Sequence, residues 1–180
     1  RRLLGSVAPP AVAVAIVAGS LLVPLGTNAS GGTMRVGAIQ GNVGEPGLGA
    51  FANAREVLTN HVEGTEALID EVGPGGVDLA LWPENSSDYN PRVDADAQAL
   101  VERAVDAAQA PLLFGTDRYE RGDGETPDER FNEMVLWLPG EGPTATYAKQ
   151  IPAAFAEYIP MRVIARVFSE AVDLVSVDMA

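Results

Sequence analysis

Apolar and polar positions alternate along this chain with two periods, and the switches between them mark out its elements. Residues 3–26 contain no charge and are mostly apolar, a run of 24 residues preceded by Arg1-Arg2. As a helix it would reach ~36 Å, against ~30 Å of membrane hydrocarbon. The run predicts a transmembrane helix over 1–26 and a flexible linker over 27–34. Pro9-Pro10 and Pro24 interrupt it. The rival reading is a signal peptide cut near Thr27-Asn28-Ala29. Arg35 to Asn42 reads as a strand. Phe51, Ala54, Val57, Leu58, Val62, Leu68, Ile69 and Val72 recur at helical spacing, which predicts an amphipathic helix over 51–72. Gly73-Pro-Gly-Gly stops it. Val77 to Trp82 is a short, continuous apolar run, as expected of a central strand, and Pro83 ends it. Ala97, Leu100, Val101, Ala104, Val105 and Ala108 mark a second helix with Asp94 as its N-cap. Pro111–Thr116 reads as a third strand and 118–130 as a solvated loop. Met134–Leu138 and Thr144–Ala148 flank Pro139-Gly-Glu-Gly-Pro143, a hairpin signal. Ile159–Leu174 reads as a helix.

The order β-α-β-α-β-β-β predicts an α/β layered domain with a mixed sheet, because the last strands lack crossover helices. At 180 residues with 47% hydrophobic content, one sizeable core is possible. The net charge is −13, which disfavours nucleic acid as a partner. There is no Cys and one His, so disulfides, thiolate metal sites and His-rich metal sites are excluded within this sequence. No metal and no cofactor is expected.

Two residues stand out as candidate chemistry. Glu84 follows Trp82-Pro83 at the carboxyl end of a buried strand, where open α/β sheets place ligands. Lys149, the single Lys of the chain, follows the strand-like Thr144–Ala148. Taken alone, Glu84 is a surface carboxylate capping a turn as readily as a catalytic group. Lys149 is equally a solvated residue at the end of a hairpin. Glu157, eight residues past Lys149, reads on its own as a loop carboxylate that pairs with Arg162. His61 is expected as a partly exposed helix residue with no catalytic role. Gly44-x-x-Gly47-x-Gly49 lacks the Lys-Ser/Thr of a phosphate loop. Asp94 and Asp96 suit a helix start. Ser169 and Ser176 do not sit in a nucleophile elbow.

Several of these segments, in order, resemble the nitrilase superfamily and, within it, the apolipoprotein N-acyltransferases of bacterial envelopes. They are Gln40-Gly41-Asn42, Trp82-Pro83-Glu84, Tyr147-Ala148-Lys149 and Phe155-Ala-Glu157-Tyr158-Ile-Pro160. The resemblance runs from about residue 35 to the end. It implies an α-β-β-α sandwich over 35–180, incomplete here. It implies Glu84 as the proton-transfer group, Lys149 as the oxyanion stabiliser and Glu157 as the support that orients Lys149. The family's nucleophile is a Cys, which is expected beyond residue 180. The activity implied is transfer of an acyl chain from a phospholipid to the N-terminal diacylglyceryl-Cys of a lipoprotein, through a Cys thioester. The alternatives are another carbon–nitrogen hydrolase, amidase or nitrilase, and a non-catalytic binding domain on the same scaffold. The implied setting is the plasma membrane with the domain on the extracytoplasmic side, Arg1-Arg2 being cytoplasmic. A glycosyltransferase is a possible partner or fusion. The sequence departs from the family pattern where Val-Pro-Phe-Gly-Glu-Tyr is usual, since Ala154 and Ala156 replace the Pro and the Gly. If that Gly served a left-handed turn, Ala156 would strain it.

Overall fold

A computed structural model describes residues 4–20, 22–23, 31–42, 54–122, 128–168, 172, 175 and 177–179. The expectations for Thr27-Asn28-Ala29, Gly44–Gly49, Ser169 and Ser176 lie outside these residues. The chain divides into two units, 1–33 and 34–180.

The first unit holds α1 (Leu4–Ser20). Its 17 residues extend about 26 Å, and among the described residues no helix is long and apolar enough to cross a membrane. The uninterrupted span expected over 3–26 is therefore not what the described residues form. The helix closes at Gly19-Ser20. There the Ser20 hydroxyl donates back to the Val17 carbonyl, and the Leu22 and Val23 amides make tight turn bonds to Gly19 and Ser20. Glycine and serine are weak helix formers, and a hydroxyl that binds the preceding turn competes with the ladder.

The second unit is a mixed α/β sheet. Its elements are β1 (Val36–Ala38), α2 (Ala54–Val72), β2 (Leu79–Leu81), α3 (Ala95–Ala108), β3 (Leu112–Glu120), β4 (Glu129–Leu138), β5 (Gly142–Ala148) and α4 (Arg162–Phe168). The five strands lie in sequence order. β1, β2 and β3 run parallel, joined through α2 and α3, whereas β3, β4 and β5 are antiparallel neighbours joined without helices. The Asp94 carboxylate accepts the Ala97 amide and caps α3, as the sequence predicts.

Residue parity divides the sheet into two faces. Ala80, Leu112, Phe114, Val135 and Trp137 are buried with Leu58 and Val62 of α2 and Val101, Ala104 and Val105 of α3 in one core. The opposite face carries Leu79, Leu81, Leu113, Met134 and Leu136, all half-buried.

Three expectations are corrected. The loop expected over 118–130 is ladder at both ends, since β3 runs to Glu120 and β4 starts at Glu129. Charge does not exclude strand here. Glu133 is buried between Arg92 and Arg118, and Arg118 also lies 4.1 Å over the Phe131 ring. Second, the helix expected over Ile159–Leu174 starts later: α4 begins at Arg162, preceded by Met161 at φ 49°, and residues 169–171, 173 and 174 lie outside the described residues. Third, His61 is buried rather than half-exposed. Its Nδ1 faces the Val57 carbonyl, its ring packs 5.4 Å from Trp82, and burial lowers its pKa.

Candidate active site

β2 ends at Leu81, two residues before Pro83. Pro83 has no amide hydrogen to offer, and the chain turns outward through Glu84 and Asn85, the latter at φ 55°. This turn lies directly over Gly115 of β3. A side chain at 115 would place its Cβ 2.8 Å from both the Glu84 Cα and the Asn85 amide nitrogen. The Gly115 carbonyl accepts the Ser87 amide at 3.1 Å and the Ser86 hydroxyl at 3.1 Å. Glycine is thus required at 115 to seat the segment that carries Glu84.

Lys149 arrives from the other side. β4 and β5 pair from Leu138–Gly142 to Glu133–Ala148, and one further bond, Lys149 amide to Asn132 carbonyl at 2.8 Å, extends the ladder past Ala148. Parity then sets Lys149 on the same face as Tyr147, Met134 and Asn132. Its ammonium donates to Glu84 Oε1 at 3.0 Å and to Glu157 Oε1 at 2.8 Å. The pairing of Glu157 with Arg162 anticipated from sequence is not made. Arg162 binds Asp178, while the second Glu157 oxygen accepts the Ala153 amide at 2.6 Å.

The three side chains differ in exposure, at 50% for Glu84, 34% for Lys149 and 15% for Glu157. Glu84 therefore presents the accessible oxygen, and Glu157 anchors from below. The hydrogen bonds that Lys149 donates to Glu157 and then Glu84 raise its pKa, so the ammonium stays charged. Burial pushes the Glu157 carboxyl up, but Lys149, the Ala153 amide and Arg130 outweigh it and the net shift is downward.

The alternation of the strands brings in residues that the sequence patterns did not single out. Asn132 is buried, and its side-chain amide donates to Glu84 Oε1. Gly115 is the seat just described. Asp117 lies opposite Asn132 in the β3–β4 register. Asn132 was hidden because it falls between the expected loop and the expected strand. Its one sequence signal is its place one step of alternation before Met134. Two shallow hollows share Glu84 and Met134 as walls. One, of about 350 Å³, is lined by Ala38, Gln40, Leu81 and Pro83; the other, of about 220 Å³, by Asn132, Tyr147 and Lys149. Their lining is largely apolar beside one ion cluster. Such a site can hold a non-polar substrate while an ammonium and a carboxylate meet its reacting carbonyl.

No family model matches the sequence. The chain is 43% identical over 143 residues to an apolipoprotein N-acyltransferase of Mycolicibacterium smegmatis, an alignment covering 76% of this chain and 24% of that protein. The resemblance read from the motifs is thus matched by sequence identity over most of the chain. The chain spans about a quarter of that relative's length. Among solved structures it is similar to an amidase from Nesterenkonia sp., with 19% identity, a TM-score of 0.46, and coverage of 72% of this chain and 47% of the amidase. It is also similar to an N-terminal amidase, with 16% identity, a TM-score of 0.40, and coverage of 67% and 28%.

Proposed function

We propose that this chain, 43% identical to an apolipoprotein N-acyltransferase, carries the proton-transfer and oxyanion-binding half of such an enzyme. The observation that carries the reading is the contact of one ammonium, Lys149, with Glu84 and Glu157 at the carboxyl ends of β2 and β5. The fold is then a nitrilase-like α-β-β-α sandwich of which β1–β5 form one sheet. The half-buried apolar face bearing Leu81, Leu113, Met134 and Leu136 is the side on which a second sheet would lie.

The chemistry is acyl transfer in two halves. The thiol comes from a Cys outside these 180 residues, since the chain has none. In the first half Glu84 takes the thiol proton, and sulfur attacks the ester carbonyl of a phospholipid. The carbonyl oxygen gains charge beside Lys149. The acyl–oxygen bond breaks, and Glu84 returns the proton to the departing alcohol. In the second half the α-amine of the lipoprotein's diacylglyceryl-Cys attacks the thioester. Its proton passes to Glu84, the carbon–sulfur bond breaks, and the thiol is regenerated. Glu157 and Asn132 hold Lys149 and Glu84 in place. No cofactor or metal enters this scheme. The apolar 1–26 segment, a membrane anchor in this reading, would keep the domain at the extracytoplasmic surface where both lipids reside.

The test uses the full-length protein. Glu84→Gln should lower acyl transfer by roughly 10²–10⁴, and Lys149→Ala by roughly 10²–10³. Each should leave the folded domain intact by circular dichroism. Near-normal turnover of Glu84→Gln would remove the basis of the proposal.

A further inference from the structure

Beyond Glu84, Lys149 and Glu157, a third carboxyl lies on the face that carries Asn132 and Lys149. Asp117 lies on β3 one step past Thr116, opposite Asn132, whose side chain donates to Glu84. One Asp117 oxygen, Oδ1, is buried and has no hydrogen-bond partner in the protein. The same is true of Nε of Arg130, two residues before Asn132 on β4 and on the same face. Arg130 acts electrostatically on both Asp117 and Glu157, lowering the proton affinity of each. Among the described residues it makes no ion pair within 4.0 Å, and its charge reaches both acids.

We propose that Asp117 is a positioning residue of the site: through Arg130 it controls how firmly Glu157 holds the Lys149 ammonium. With Asp117 ionised, Arg130 is drawn to it, and Glu157 is left to Lys149. With Asp117 neutral, Arg130 turns its charge on Glu157 and competes with Lys149, which frees the ammonium toward Glu84. Four other charged groups face Asp117 or its partners. Asp88 comes from the β2–α3 connection, Glu84 from the end of β2, Glu157 from the β5–α4 connection and Arg130 from β4. Arg118 and Arg92 are spent on Glu133 at the opposite face. Burial, aided by Asp88, Glu157 and Glu84 and opposed by Arg130, pushes the Asp117 carboxyl up to about 6. The change of state therefore falls near pH 6.

The inference rests on reading Glu84, Lys149 and Glu157 as the functional cluster, but its test does not need that reading. Lys149 is the single Lys of the sequence, so lysine labelled with carbon-13 at Cε gives one side-chain resonance pair from this chain. In the wild type that resonance should shift with an inflection at about pH 6, well below the titration of Lys149 itself. Asp117→Asn should abolish the inflection, and so should Arg130→Gln, the relay. His61 is packed against Trp82 in the core and is unchanged in both variants, so an inflection due to its titration would survive them. A flat wild-type resonance between about pH 5 and pH 7, or an inflection that persists in Asp117→Asn, would overturn the proposal. In the full-length enzyme, Asp117→Asn should change the acid limb of the pH–rate profile and leave the maximal rate within about threefold. If the resonance behaves as expected and the profile does not move, Asp117 is coupled to Lys149 and the functional reading of Lys149 fails instead.

Discussion

Replacing Gly115 by Ala tests whether the backbone under Glu84 sets the site. An added Cβ would lie 2.8 Å from the Glu84 Cα and from the Asn85 amide nitrogen, and 3.0 Å from the Pro83 carbonyl oxygen. Ordinary contact begins near 3.4 Å, so restoring it requires the Pro83–Asn85 segment to retreat by ~0.6 Å. All three neighbours are backbone, which cannot swing aside like the end of a side chain. The displaced segment carries the carboxylate that meets Lys149 at 3.0 Å and leads directly into Ser86 and Ser87, which bond Gly115. Overpacking of this kind costs about 1–3 kcal/mol. A misplacement approaching 1 Å at a reacting group costs on the order of 10²-fold in rate. The urea midpoint of the chain should therefore fall by the corresponding amount, the Cε resonance of Lys149 should move, and acyl transfer by the full-length protein should drop by about 10–100-fold. Gly115→Ala with unchanged stability, an unmoved Lys149 resonance and full activity would show that the Glu84 turn does not rest on Gly115 as described.

Three further outcomes follow from other contacts. Glu157→Gln should flatten the acid limb of the stability curve. The Glu157 carboxyl is held below its usual value, so its contribution is present above about pH 4.3 and is lost as pH falls through the folded value; chemical denaturation at several pH values reads this. Asp117→Asn should act in the opposite sense. A carboxyl raised to about 6 favours the folded state below the unfolded value and loses that advantage as pH rises, so the variant should gain on the wild type between about pH 4 and pH 7. Arg118→Ala leaves the buried Glu133 with Arg92 alone and removes the stack on Phe131; the cost should be about 1–3 kcal/mol by thermal or urea melting.

Much of the scaffold is written in short-range pattern. The period of α2 and α3, the Asp94 cap and the Pro139–Pro143 turn are local signals, and each led to the element that forms. What the pattern missed depends on contacts between distant residues. Arg118 lies in a stretch that reads as solvated loop, yet it is strand because Glu133 and Phe131, across the ladder, supply its partners. His61 reads as half-exposed because its helix is amphipathic, but Gly41 packs against its ring so closely that a Cβ there would lie 2.3 Å from Nδ1. Neither partner is visible in a window of one helix. Within the site, Glu84 and Lys149 are marked by the strand ends they follow. Asn132, Gly115 and Asp117 acquire meaning only once register sets them on the same face.

The loop that carries Glu157 shows how a departure from a family pattern can mislead when read one residue at a time. Ala156 stands where a Gly is usual, and the sequence invites the view that a left-handed turn is strained there. The left-handed position is instead Phe155, at φ 65°, and Ala156 is not among the residues of positive φ. The turn is closed by the Phe155 amide to the Tyr158 carbonyl at 2.7 Å and the Glu157 amide to the Ala153 carbonyl at 2.8 Å. Both flank Glu157 and leave its carboxylate on Lys149. A bulky residue in this region costs roughly 1–2 kcal/mol, and strain of that kind persists where surrounding contacts impose it. Phe155 is exposed, so replacing it removes little packing. Phe155→Gly should stabilise the chain by up to about 1 kcal/mol, the relief of strain exceeding the added entropy of the unfolded chain. Ala156→Gly, which restores the usual residue, should cost about 0.5–1 kcal/mol, because it adds that entropy and relieves nothing. Urea melts of the two single variants decide between the positions. A gain at 156 and a loss at 155 would place the strained turn one residue later, and the geometry that holds Glu157 against Lys149 would have to be redrawn.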